Sequence, residues 1–177
     1  MEYLWSLKEL YPSFDSEEFK QDMAALDDYI EEYKTWVDAI TENYSDVVKK
    51  LEEYIEIESR GLRLISKLYD FAELTLSVDT KNKQALKSSE ILQTKFAATA
   101  EHKAKLKRWI GGVPDIENLL QSSPLLSEHK FHLMELVEQS KYLLSNAEEA
   151  VIAKMRNTGS NAWSKLKDLV TSTLKID

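Results

Sequence analysis

From Phe19 onward the apolar residues fall at Phe19, Met23, Leu26, Ile30, Tyr33, Val37, Ile40 and Tyr44. The intervals alternate between four and three without exception, a heptad seam held for more than three repeats. Strands alternate every second residue, so this spacing leaves only a long amphipathic helix. At about 1.5 Å per residue the seam makes a rod roughly 40 Å long, which must lie along other rods to cover its apolar stripe. Tyr29 and Trp36 form a second line beside the seam and widen that face. Ahead of it, Asp15 followed by Glu18 gives a capping-box pattern, with Phe14 and Phe19 placed as a staple across the helix start.

The same grammar continues. Ser45 is placed to cap a second helix whose seam reads Leu51, Ile55, Glu58, Leu62, Ile65, Tyr69, Ala72, Leu76. Gly61 lies inside it. Glycine in a helix interior costs about 1 kcal/mol relative to alanine, so its presence points to close approach of a neighbouring helix, or else to a bend. After a turn at 77–80, a third helix is expected from Lys81 to Ile110, with Leu86, Leu92, Phe96, Ala100 and Ala104 on it. Its end is rich in bases, Lys103, Lys105, Lys107 and Arg108, which suits the negative end of the helix dipole. Gly111-Gly112 and Pro114 break the chain there. Beyond, the elements shorten: a turn or two over 115–121, a helix opened by Ser123-Pro124 and running to about Leu144, a capping box at Ser145 and Glu148, a stop at Gly159, and a last helix carrying Trp163, Leu166, Val170 and Leu174. With 4 glycines and 3 prolines in 177 residues, turns are few and elements long. The expected fold is therefore all-α, three long antiparallel helices followed by a cluster of shorter ones. The expected organisation is a single helical domain over 1–177, with a long-helix bundle at 14–110 and a short-helix cluster at 111–177.

Composition narrows the function. The chain has no cysteine, which excludes disulfides and thiolate metal ligands and fits a reducing, cytoplasmic setting. No apolar run approaches the roughly 18 residues of a membrane span, and the start lacks the basic region and apolar core of a signal peptide, so no membrane partner is expected. The net charge of −8 is unevenly spread. Residues 1–60 carry 17 acids against 6 bases, whereas 61–108 carry 5 acids against 10 bases. So acidic a first third argues against nucleic acid as a partner. The basic middle is expected to pack beside the acidic first third in one bundle, the alternative being that it attracts an anionic partner.

Reacting groups are hard to find. His129 and His132 are three apart on one expected helix, with Glu128 and Glu135 nearby, but E-H-K-F-H-L-M-E lacks the H-E-x-x-H order of a zinc helix. His102 is expected at the solvated surface. The carboxylate pairs Asp27-Asp28, Glu31-Glu32 and Glu52-Glu53 fall off the apolar seams, where nothing would shift their pKa values for acid–base work. The di-iron bundle pattern, a glycine-rich phosphate loop and a nucleophile elbow are all missing from the sequence. No residue is therefore assigned as catalytic, cofactor-binding or metal-ligating.

Three groups of motifs nevertheless carry a resemblance. Trp5-Ser6-Leu7-Lys8-Glu9-Leu10-Tyr11, followed by Asp15, resembles the opening W-x-L-x-x-L-Y-x-x-x-x-D/S of the oligoendopeptidase F family, thimet oligopeptidase-like zinc metallopeptidases. Residues 68–80, Leu68-Tyr69-Asp70-Phe71-Ala72-Glu73-Leu74 through Asp79-Thr80, are similar to its L-Y-x-Y-A-x-L-x-x-S-x-D-T. Ser123-Pro124-Leu125-Leu126, then Leu144-Ser145-Asn146-Ala147-Glu148-Glu149, then Thr158-Gly159-Ser160-Asn161-Ala162-Trp163 resemble its S-P-x-L, L-S-x-x-E-E and T-G-x-x-A-W. The chain departs at Phe71, where the family has tyrosine, and at Tyr142, where it has histidine.

The resemblance implies the N-terminal helical region of a cytoplasmic zinc metalloendopeptidase that hydrolyses short peptides. It implies a wall of the substrate channel, with the H-E-x-x-H zinc site in a C-terminal part that no residue here matches. The chain alone is then expected to be inactive and without a cofactor of its own, with its own catalytic domain as partner and Leu174-Lys175-Ile176 as the approach to that domain. The alternative expectation is a self-contained helical-bundle binding or scaffold module. Under the first reading, Tyr29 and Trp36 on the first helix and Trp163 and Val170 on the last are expected to be exposed, giving an apolar surface through which the chain self-associates.

Overall fold

The computed structural model describes residues 6–174; Trp5 and Lys175-Ile176 of the motifs above lie outside the described residues. Every regular element among the described residues is a helix. The first, α1 (Glu17–Ile40), buries Phe19, Leu26, Ile30, Tyr33, Val37 and Ile40, the expected seam. Its cap is Ser16 rather than Asp15: the Ser16 hydroxyl accepts from the Phe19 N–H at 3.3 Å. Asp15 instead accepts from Gln84 Nε2 at 2.7 Å, tying the start of α1 to a later helix. Phe14 and Phe19 do meet, edge to face at 5.3 Å between centroids.

The second helix, α2 (Val47–Val78), follows Asp46, whose φ of 49° is left-handed. Ser45 does not cap it, because both its N–H and its hydroxyl bond Asn43 Oδ1. The expected seam holds at Leu51, Ile55 and Ala72, with Ile65 and Tyr69 half-buried against the core, but breaks at Leu62, which is 61% exposed; Tyr54, Gly61, Leu68 and Phe71 are buried beside it. Gly61 explains the change. The Tyr29 ring lies over it so closely that a Cβ there would sit 2.1 Å from the ring's far end. The helix presents its bare backbone to α1, and the apolar face continues from that side. The cross-pairs Trp36–Glu53, Glu32–Arg60 and Asp22–Lys67 run in opposite order along the two helices, which makes α1 and α2 antiparallel.

The third long helix expected over 81–110 is two helices, α3 (Lys83–Ala97) and α4 (Ala100–Gly111). Between them the hydrogen-bond ladder is diverted: the Thr99 N–H and hydroxyl both donate to the Phe96 carbonyl, at 3.1 and 2.9 Å. Side chains that bond backward in this way compete with the helical ladder. The break lets α3 stay on α2 while α4 packs with α1 and with the later helices. The helix expected from Ser123 to about Leu144 is also divided, into α6 (Pro124–Glu128) and α7 (Lys130–Ser140), after the single turn α5 (Ile116–Leu119). Pro124 opens α6 as expected. The chain closes with α8 (Asn146–Thr158), started by the Ser145–Glu148 capping box, and α9 (Ser160–Thr173).

Two cores hold the molecule. One gathers Leu7, Leu10, Tyr11 and Phe14, the first half of α1, the second half of α2, and α3. The other gathers the second half of α1, the first half of α2, α4, and α5 to α7. Tyr29 touches both. Neither α8 nor α9 has a fully buried residue. No helix among the described residues is long and apolar enough to cross a membrane.

Candidate functional site

The residues weighed for chemistry are spent on structure. His132 Nε2 lies 2.8 Å from the Tyr54 hydroxyl, and the two rings stack at 6.0 Å. That engages one of the two ring nitrogens through which His132 could bind a metal, while His129 sits at the joint between α6 and α7 and Glu135 accepts from Gln139. Among the described residues no group of three or more His, Asp or Glu is placed to hold a metal ion.

His102 is not solvated as expected. Its side chain is 20% exposed, Nε2 stands 3.6 Å from Asp38, and Nδ1 is buried without a partner. Asp38 also takes Lys105 at 2.6 Å, and this hydrogen bond, against a smaller burial penalty, holds its carboxyl below the usual range. Of the carboxylate pairs, Asp27, Glu31 and Glu32 lie at the surface and pair with Lys95, Lys34 and Arg60, while Asp28 is simply exposed. Glu52 and Glu53 are half-buried instead. Glu52 accepts from the Ser123 hydroxyl at 2.5 Å and so ties α2 to the start of α6, and Glu53 accepts from Trp36 Nε1 at 3.3 Å.

The motif residues come together in one place that spacing alone did not show. Tyr11 is fully buried, with its ring 5.3 Å from Phe71, so the opening motif and the motif at 68–80 share one aromatic core. The Tyr11 hydroxyl donates to Asp22 at 2.6 Å, Lys67 donates to the same oxygen at 2.8 Å, and Lys67 Nζ stands 4.3 Å from the centre of the Tyr11 ring. Burial and the adjacent Asp22 push the Tyr11 hydroxyl far above its ordinary pKa. Burial would raise Asp22, but the hydrogen bonds from Lys67 and Tyr11 outweigh it and hold the carboxyl low. A tyrosine in a buried opening motif needs a polar partner, which is the signal in the sequence; that the partner is Asp22 is set by packing.

A groove of about 850 Å³ lies between the α2–α3 turn region and α9. Four leucines line it among mostly polar residues, Leu76 and Leu86 on one wall and Leu166 and Leu169 on the other. Glu73 and Glu90 lie at one end of the α2–α3 wall, and Lys81 and Lys83 at the other. The order follows from antiparallel α2 and α3, fixed by the Ser89 hydroxyl donating to Glu73 at 2.7 Å. Helix α9 packs on α8. Its one side-chain hydrogen bond to the α2–α3 wall, among the described residues, joins Ser172 to Thr80 at 3.0 Å. Sequence reasoning placed Trp163 and Val170 on this last helix but did not find the groove, which depends on where α9 lies.

Residues 114–176 match the family model described as Oligopeptidase F. Neither curated proteins nor solved structures give a match to the chain. The matched stretch contains the S-P-x-L, L-S-x-x-E-E and T-G-x-x-A-W residues: the Pro124 helix start, the Ser145–Glu148 box, and the α8–α9 joint at Gly159. Over residues 114–176, about a third of the chain, the sequence is thus similar to the Oligopeptidase F family.

Proposed function

We propose that the whole chain, 1–177, is the N-terminal helical domain of an oligoendopeptidase F-like zinc metalloendopeptidase, a cytoplasmic enzyme of peptide degradation. The domain forms part of the wall of the channel that admits short peptides, and it is inactive in isolation. Its partner is the catalytic domain of the same protein, which holds the zinc. The single observation that carries this reading is the family match over 114–176, reinforced by the earlier motifs in the expected order. The absence of a fitting ligand set among the described residues is the reason to place the metal elsewhere.

The test has two arms. The complete coding frame should contain an H-E-x-x-H segment, and the complete polypeptide should cleave short fluorogenic peptides in a chelator-sensitive way. Residues 1–177 alone, with zinc added, should not. A complete frame without that segment, or chelator-sensitive turnover by residues 1–177, refutes the proposal. The second reading, a self-contained binding or scaffold module, draws on the two cores, both of which close within the chain. A frame with no catalytic segment would favour it.

A further inference from the structure

Glu58 is the polar member of the expected α2 seam, and the fold leaves it without a partner. The half-buried acids of α2 are Glu52, Glu53, Glu58 and Glu73. Glu52 accepts from Ser123, Glu53 from Trp36 and Glu73 from Ser89. Glu58 has neither a hydrogen bond nor an ion pair among the described residues. Its neighbours three and four residues away on the helix are Tyr54, Ile55, Gly61 and Leu62, none of them basic. The nearby bases are committed elsewhere, Arg60 to Glu32 and Lys34 to Glu31. A half-buried carboxylate without a donor costs stability, so its place on an apolar seam calls for a reason outside the fold.

The surroundings of Glu58 are aromatic hydroxyls. Tyr54, Glu58 and Gly61 lie on one stripe of α2, at intervals of four and three, and Tyr29 of α1 lies over Gly61. Tyr33 stacks on Tyr29 at 6.0 Å between ring centres, and Trp36 follows 6.4 Å from Tyr33. Gly61 meets Tyr29 and Glu53 meets Trp36, so Glu58 falls between those two levels, where Tyr33 stands. Burial first, and the Glu58 charge next, push the hydroxyls of Tyr29, Tyr33 and Tyr54 up from the ordinary tyrosine range, so one carboxylate acts on all of them. Of these hydroxyls only that of Tyr54 is hydrogen-bonded among the described residues, to His132 Nε2 at 2.8 Å. The Glu58 carboxylate and the Tyr29 and Tyr33 oxygens are therefore free to accept.

A carboxylate flanked by phenol oxygens is complementary to a donor that carries positive charge. A primary ammonium has three N–H donors and no acceptor. One donor would meet the carboxylate and the others the phenol oxygens, while the half-buried Tyr29 ring adds cation–π attraction. An anion would be repelled, and a neutral donor would leave the charge uncompensated. We propose that Glu58, with the hydroxyls of Tyr29 and Tyr33, is a binding site for a primary ammonium group, carried by the N-terminus of a peptide or by a lysine side chain. The proposal does not rest on the peptidase reading.

The test uses the full chain with its tyrosines labelled with carbon-13 at Cζ, the signals of Tyr29, Tyr33 and Tyr54 being assigned by single phenylalanine variants. The probes, at constant ionic strength, are trialanine amide, with its ammonium at the N-terminus, and N-acetyl-lysine methylamide, with its ammonium on the side chain. The controls are N-acetyl-trialanine amide, which has no charge, and tetramethylammonium, which has charge but no N–H. The Tyr29 and Tyr33 signals should shift saturably with an ammonium probe and not with either control, and the probe that acts identifies the source. Glu58→Gln should abolish the shift and, by removing an unpartnered charge, leave the urea midpoint unchanged or raised; Glu58→Leu should do the same. No saturable shift, an equal shift with either control, or a shift that survives Glu58→Gln would overturn the site. A midpoint lowered in both variants would overturn it too, by making Glu58 a structural member of the bundle.

Discussion

Replacing Gly61 by alanine sets two known effects against each other. Alanine is the better helix former by about 0.8–1.0 kcal/mol, so at an exposed helical site the change would stabilise. Here the new Cβ would stand 2.1 Å from both Cζ and Oη of Tyr29. The ring cannot step aside freely: it stacks on Tyr33 at 6.0 Å and touches both cores. Inserting a methyl group into such a contact costs typically about 1–3 kcal/mol, which less the helix-forming gain leaves a net destabilisation of up to about 2 kcal/mol. For a chain of this length that is a drop of several degrees, at roughly 2–4 °C per kcal/mol. Urea unfolding of Gly61→Ala, followed by far-ultraviolet circular dichroism, measures it. Tyr29→Phe should not rescue the variant, because Cζ remains in place, whereas Tyr29→Leu should make the alanine neutral or favourable. A stabilised Gly61→Ala in the presence of Tyr29 would refute the close approach, and with it the reason given for the break in the α2 seam.

Asp22→Asn should lower stability at neutral pH and flatten its acid dependence. The native Asp22 carboxyl is held low by Lys67 and Tyr11, so its contribution is complete above the ordinary carboxylate range near pKa 3.9 and is lost as pH falls through the lower native value; urea midpoints at stepped pH that run parallel for parent and variant would contradict this. Trp163→Glu should reduce apolar-dye binding and self-association without loss of helicity, since Trp163 is 71% exposed on α9. Trp36→Glu should instead cost stability and leave association unchanged, because Trp36 is half-buried and bonded to Glu53; sedimentation and thermal melts of the two variants separate the effects.

The buried face of the first helix was legible, because a seam of alternating fours and threes has one structural solution and each member of it from Phe19 to Ile40 is buried or half-buried; its ends were not, since Ser16 rather than Asp15 caps it and Tyr44, the last residue of the seam, lies beyond it and is exposed. The long third helix was not. Its apolar pattern runs across Ala98-Thr99, and the interruption comes from a local hydrogen-bond choice by Thr99 that any threonine in a helix could make or decline. The second stripe was misread for a related reason. Tyr29 and Trp36 lie off the seam, but a glycine on the partner helix makes room for one and a carboxylate receives the other, and both are properties of α2 rather than of α1. The site followed the same rule. The Pro124 helix start and the Ser145–Glu148 capping box are local and could be read, whereas the bond of Ser123 to Glu52 in place of a cap, the Tyr11–Asp22–Lys67 cluster and the α9 groove exist only once distant segments meet.

The two cores are divided across the long helices rather than along the chain, and this has a consequence for how the protein emerges from the ribosome. The core built on Tyr11, Leu26 and Leu68 has its last contributor at Phe96, so it can close while the remainder is still being made. The other core begins with residues of the same two helices but waits for Leu133, Leu136 and Val137. Until these arrive, the second half of α1 and the first half of α2 stand as a half-covered hairpin with Tyr33, Val37, Leu51 and Ile55 awaiting partners. Synthesis therefore passes through an intermediate that is finished at one end and adhesive at the other, and the stretch from Ala98 to Val137 is the interval in which a chaperone or a premature neighbour would find it.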